Sequence, residues 1–249
     1  MRTAIVSAMH PELAAVLARM PDERRVEVAG REFWSGHLHG HEVVAVLSRI
    51  GKVAAATTAT VLIERFEVDQ VIFTGAAGGI AAGVRVGDVV VAESFLQHDM
   101  DASPLFPPHE VPLYGRAAFP TDAGLTQRLA ESARQVLADA DESLGAETVT
   151  EFALASPRVH HGLVVSGDRF VATSGESDRL RERLPAALAV EMEGAAVAQV
   201  CHDYGIPFAA ARTVSDRADD AAHVDFLRFI ERVASRYSQA MLDRFFASL

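Results

Sequence analysis

The chain has 249 residues, and 23 Lys+Arg against 34 Asp+Glu give it a formal charge of −11. With 49% apolar and 23% charged residues, it has an ordinary globular mixture, which excludes a disordered or fibrous protein. The acidic balance speaks against polyanionic partners, so neither nucleic acid nor an anionic membrane surface is expected. One cysteine, Cys201, cannot form an internal disulfide, and no apolar run approaches the ~18 residues of a membrane span. The short apolar opening reads as a strand, not a leader, and a cytoplasmic location is expected.

In chain order, Thr3 to Ala8 reads as a buried strand leading into a helix, with Pro11 and Glu12 suited to its first turn. Leu13, Val16, Leu17 and Met20 follow at helical spacing. Short strands are predicted at Val26–Val28, Phe33–His39 and Val43–Leu47, punctuated by Gly30 and Gly40. Val53 to Phe66 is an alanine- and threonine-rich helix. Asp69 to Thr74 is a strand expected to end on Gly75-Ala76-Ala77-Gly78-Gly79, and Val86 to Ala92 is another. The stretch Pro104 to Pro120 is too long and too apolar for a casual linker; segments of this kind are usually functional or interfacial. A helix over Leu125–Ala138, strands at His161–Ser166 and Leu188–Val190, and a helix over Glu193–His202 ended by Gly205 come next. A strand over Ile206–Arg212 and a closing helix over Val224–Phe246 complete the chain. No composition break marks a boundary, so a single domain over residues 1–249 is expected. Apolar strands alternating with helices imply an α/β fold around a mostly parallel sheet covered on both sides, with its ligand crevice beyond the carboxyl ends of the strands.

That rule selects the residues to weigh. Gly75–Gly79 fits either close backbone approach to a ligand or a tight strand-to-helix turn; it matches neither phosphate-cradling nor dinucleotide glycine patterns. Glu191-Met192-Glu193 fits acids for vicinal sugar hydroxyls with a thioether packed alongside, or acids complementing a helix N-terminus. Asp216 fits a strand-end general acid whose pKa burial would raise, or an N-cap, whereas Asp219 reads as a cap. Phe170, after Ser166-Gly167-Asp168-Arg169, fits a platform for a planar base or a core aromatic. His98-Asp99-Met100-Asp101 has no recognised metal spacing, no serine sits in a nucleophile elbow, and Cys201 reads as core.

The order of these motifs carries more than any one of them. Ala8-Met9-His10-Pro11-Glu12, Ser48 to Ala54, Thr74 to Gly79, Gly87 to Val90, Ser166 to Phe170, Val190-Glu191-Met192-Glu193 and Ser215 to Asp219 together resemble the 5′-methylthioadenosine/S-adenosylhomocysteine nucleosidase family of the nucleoside phosphorylase superfamily. The resemblance runs nearly end to end. It implies one α/β domain around a mixed, partly barrel-like sheet, and hydrolysis of the N-glycosidic bond of a 5′-thio-adenosine to release adenine. By that resemblance Glu12 would activate the attacking water and Asp216 would protonate the leaving adenine. Glu193, with Glu191 and Met192 beside it, would hold the ribose; Ala76 and Gly78 would line the sugar and base. Phe170 would stack on the purine, the Val171 backbone would read its edge, and Ile50 and Phe226 would border the 5′-alkylthio group. The 104–114 loop would close the site across a homodimer. No metal or organic cofactor is implied. One acid must be ionised and the other protonated near neutrality, which requires two different environments.

Two departures stand out: Ala76 occupies a position where the family commonly has serine, and the 104–114 loop carries Pro104, Pro107, Pro108 and Pro112. Ala76 removes one hydroxyl from the ribose or water network, which bears on substrate affinity or preference, and the loop bears on the size of the 5′ group accepted. A phosphorolytic relative would carry a phosphate-binding arginine two residues before the glycine turn, where this chain has Phe73. Cleavage of aminodeoxyfutalosine, which shares the ribosyl-adenine half, and a non-catalytic nucleoside-binding module are the remaining rivals.

Overall fold

The structure, a computed structural model, describes residues 1–154, 156–218 and 226–249. The first strand, β1 (Thr3–Ser7), is buried throughout and feeds α1 (His10–Leu17). A meander follows: β2 (Arg24–Val28), β3 (Arg31–Leu38) and β4 (His41–Leu47), joined by the expected turns at Gly30 and Gly40. Next come α2 (Lys52–Phe66), β5 (Gln70–Gly79), β6 (Val89–Gln97) and the short β7 (Ala118–Pro120). The rest comprises α3 (Ala123–Ala138), α4 (Ala140–Leu144), α5 (Ala146–Glu151), β8 (Val159–Ser166), α6 (Ser174–Arg183), β9 (Ala187–Glu191), α7 (Gly194–Tyr204) and β10 (Phe208–Asp216). Beyond it α8 (Phe226–Phe229) passes through a π-helical turn (Ile230–Ala234) into α9 (Ser235–Ala247).

The sheet has two parts that meet on β5. Its first half pairs in parallel with β1 on one side and β10 on the other. Its last residues leave β1 and pair with β9, Gly78 opposite Val190 and Gly79 opposite Ala189. Since β10 also pairs with β6, β6 with β8 and β8 with β9, those five strands close a ring. The strands β1, β4, β3 and β2 extend from it as an open wing. The sheet is therefore mixed and partly barrel-like, as expected.

Successive β1 side chains enter opposite cores. Ile5 joins Leu13 and Val16 of α1 and Tyr237 and Met241 of α9, while Ala4 and Val6 join Ala55, Ala59 and Leu62 of α2. The strand period of two thus sandwiches the sheet between helix layers. On α7, Gly194 lies so near the Phe95 ring that a Cβ there would come within 2.2 Å of it. Cys201 lies on the same helix and is 2% exposed.

Several boundaries depart from expectation. Gly75–Gly79 is neither a turn nor a helix start, because β5 continues through it with ladder partners on β10 and β9. The small residues let the strand pass from wing to ring, and a Cβ on Gly78 would sit 2.9 Å from both the Asp216 carboxylate and the Ala218 Cβ. The strand expected at Val86–Ala92 starts at Val89 and runs to Gln97, and β10 extends beyond Arg212 to Asp216. The closing helix contains the π turn, and its expected start at Val224, with Asp219 as a cap, lies outside the described residues. Helix α6 carries no prominent apolar stripe and is set by its ends: Thr173 accepts from the Glu176 amide, with Arg181 and Arg183 in the last turn.

Candidate active site

Where β5, β9 and β10 end, a cavity opens. Its described lining includes Met9, Ile50, Ala76, Gly78, Phe170, Val171, Glu191, Met192, Glu193, Asp216 and Phe226. Every expected substrate contact is among them. Glu12 stands immediately behind this wall, fully buried, its Oε2 accepting from the amide of the lining residue Met9 at 3.0 Å. It occupies the third position of α1, where a glutamate reaches back to the N-cap amide. Burial pushes its carboxyl up to about 7, against the opposing pull of the Met9 amide and the Arg212 charge.

The acids at 191 and 193 are held by different partners. Glu191 lines the cavity, but its oxygens are engaged by protein: by the Ser166 hydroxyl, by the Gly194 amide at 2.8 and 3.0 Å, and by Arg212 at 3.0 Å. It caps the start of α7 and fixes the arginine. Glu193 is 6% exposed and accepts from the Gly51 amide at 2.8 Å. Burial first, then repulsion from Glu191, pushes its carboxyl up to about 7. Asp216 closes β10 and accepts from the Ser215 hydroxyl at 2.7 Å and from the Ala218 amide at 2.7 Å. These contacts hold its carboxyl at the cavity edge opposite Gly78.

Phe170 is 45% exposed, which suits a platform better than a core residue. Its ring meets that of Phe226 edge-on at 6.0 Å, so two aromatics close one side of the cavity. Ile50, 60% exposed, borders the same opening. The 104–114 loop holds a bridge between Val111 and Arg116, and Tyr114 donates to Asp203 of α7 at 2.8 Å. Tyr114 is thus directed into its own chain, whereas Leu105 and Leu113 are 84% and 92% exposed.

The family model described as "Phosphorylase superfamily" matches residues 2–247. A 5′-methylthioadenosine/S-adenosylhomocysteine nucleosidase of Oceanobacillus iheyensis is 36% identical over 244 residues, 98% of each chain. One from Chromohalobacter salexigens is 38% identical over 247 residues, 98% of this chain and 97% of its own. The chain belongs to the 5′-methylthioadenosine/S-adenosylhomocysteine nucleosidase family of the phosphorylase superfamily. Among solved members, the Neisseria meningitidis nucleosidase in complex with methylthio-immucillin-A superposes with a TM-score of 0.86 at 34% identity, covering 100% of this chain and 99% of that one. A Helicobacter pylori nucleosidase mutant with 5′-methylthioadenosine in its active site gives 0.83 at 29% identity, covering 100% and 99%.

One residue of this nucleosidase-family site escapes sequence reasoning. Arg212 is 1% exposed, pairs with Glu191, donates to the Phe73 carbonyl at 3.0 Å and lies 4.0 Å over the Phe73 ring. Its charge draws down both Glu12 and Glu193. The signal was a lone cation inside the apolar run Phe208–Val214, since a charge in a buried strand demands a partner.

Proposed function

We propose that the protein hydrolyses the N-glycosidic bond of 5′-methylthioadenosine, S-adenosylhomocysteine or both, releasing adenine with water as nucleophile. The observation that carries this reading is the meeting of Glu193 and Asp216 at one cavity with Glu12 buried behind its wall. Bond cleavage develops positive charge on the sugar and negative charge on the departing base. A carboxylate near the sugar and an acid near the base stabilise that state from both ends. Glu12, ionising near neutrality, takes the proton of the attacking water. Glu193 holds the ribose hydroxyls with Met192 packed on the sugar, and Asp216 delivers a proton to the purine. Phe170 stacks on the base, the Val171 backbone reads its edge, Ile50 and Phe226 face the 5′-thio group, and Ala76 and Gly78 line the sugar and base.

Hydrolysis is favoured over phosphorolysis by where the arginines are spent. Arg212 is committed to Glu191, and the rim residue Arg169 is paired with Glu176, whereas a phosphate dianion needs guanidinium groups of its own. A homodimer belongs to the same proposal, with the exposed Leu105 and Leu113 of the 104–114 loop reaching the neighbouring site. So does a cytoplasmic location; no helix among the described residues is long and apolar enough to cross a membrane. A panel of 5′-substituted adenosines, including aminodeoxyfutalosine, assayed for adenine release with and without phosphate tests the reading. Release from the 5′-thio-adenosines without phosphate is expected; strict phosphate dependence overturns it.

A further inference from the structure

The first turn of α2 is tied to the cavity by an unusual closed loop of contacts. Its N-cap, Gly51, donates its amide to Glu193 at 2.8 Å, and the next amide, of Lys52, donates to Asp168 Oδ1 at 2.7 Å. Two successive helix-start amides therefore reach carboxylates from two different strand ends, each favoured by the positive end of the helix. The Asp168 amide in turn donates to Asp99 Oδ2 at 2.9 Å. The Lys52 ammonium closes the loop on Asp99 Oδ1 at 2.6 Å and on Gln97 Oε1 at 3.0 Å. Gln97 continues to Gln199 of α7, at 2.9 Å, the helix that begins beside Glu193.

This loop connects segments that carry different lining residues of the cavity. Asp168 is two residues before Phe170 and three before Val171, while Gly51 holds Glu193. The Lys52 side chain is only 15% exposed, so its charge is better shielded from solvent than that of an ordinary surface pair. Burial acts to raise the Asp99 carboxyl, but the Lys52 ammonium and the Asp168 amide outweigh it and hold the group below the usual carboxylate range. The Asp99 carboxylate therefore stays ionised throughout the neutral range, and the contact is lost as pH falls through that lowered value. Gly51 is required by the same geometry: its φ is +94°, and a Cβ would stand 3.1 Å from Asp168 Oδ1.

We propose that Lys52, acting through Asp99 and Asp168, is a positioning residue that sets the spacing between the sugar-holding Glu193 and the base platform Phe170–Val171. The inference rests on the reading of Glu193 and Phe170 given above. Lys52 is not among the cavity's described lining residues; it acts on the groups that line it.

The test compares wild type with Lys52→Met, Lys52→Arg, Asp99→Asn and the Lys52→Met/Asp99→Asn double variant. Steady-state adenine release from 5′-methylthioadenosine and inhibition by free adenine are measured well below each melting temperature. Lys52→Met is expected to raise KM and the adenine inhibition constant about tenfold while kcat falls less than threefold, a loss of about 1.4 kcal/mol in binding. Lys52→Arg, which keeps the charge, should recover part of that loss. The double variant should be no worse than the poorer single one, because the residues act as a unit. KM and adenine inhibition within twofold of wild type in Lys52→Met, or strictly additive effects in the double variant, would overturn the inference. Failure of the wild type to release adenine would instead overturn the function on which it rests.

Discussion

The open wing of β1 to β4 and the closed ring of β5, β10, β6, β8 and β9 solve different problems. In the wing, β2 to β4 pair through short local turns, and its charges apart from the buried Arg31 stay in water: Arg25 and Glu32, 55% and 48% exposed, pair across β2 and β3. In the ring, strands far apart in sequence pair, some in parallel, as Phe208 does with Val71, and a charged pair lies inside, with Arg212 and Glu191 1% and 3% exposed. The difference teaches where chemistry is affordable. A surface pair contributes little whichever way it is arranged, whereas buried charges must be held by several partners and therefore hold their surroundings in return.

Substitutions can break this contrast, beginning with the ring. Asp216→Asn should cut adenine release by roughly 10³-fold while a non-hydrolysable nucleoside analogue still binds; turnover within tenfold of wild type would refute the acid role. Arg212→Met leaves Glu191 buried without its cation, and denaturant unfolding should report a loss of about 3–5 kcal/mol. If stability changes by under 1 kcal/mol, the pair is not what organises the ring.

Glu12→Gln separates catalysis from stability. Turnover should fall by about 10²-fold or more, together with loss of the limb that takes wild-type kcat/KM down as pH drops through about 7. Stability should move the other way. The carboxyl titrates at its ordinary 4.5 when exposed and at about 7 when folded, so between those values the folded state retains a proton that the unfolded chain has released. Ionising it in place costs stability that accumulates as pH rises to about 7. Glutamine removes that cost, so at pH 8.5 the variant should be more stable by up to about 3 kcal/mol; equal melting temperatures at pH 5 and pH 8.5 relative to wild type would contradict the burial argument. In the wing, Glu32→Ala should change stability by under about 1 kcal/mol and leave turnover untouched. A larger effect there would erase the distinction between the two regions.

The wing was the more legible region in the sequence. Hairpins with Gly30 and Gly40, the strand-to-helix step at Met9–Glu12 and the α7 stop at Gly205, whose φ is +66°, declare themselves through local chemistry. The ring did not, because closure depends on pairings between distant segments. Gly75–Gly79 has the composition of a turn, yet ladders on either side keep it extended. At the site, the residues expected from family resemblance gather at the cavity, but the different partners that hold Glu191 and Glu193 were hidden. That difference depends on Arg212, which reaches Glu191 only because β10 and β9 enter the same closed ring. Lys52 was equally silent, since a lysine at a helix start has no meaning until Asp99 and Asp168 arrive from two other strands.

Cys201, the sole thiol, is enclosed on α7 and burial pushes its pKa up to about 12. At ordinary pH it offers alkylating reagents almost no thiolate, so labelling must wait for that helix to come away. The protein thus carries one chemically silent clock, wound by the same segment that anchors Glu191 and Glu193, and its ticking counts excursions out of the assembled state.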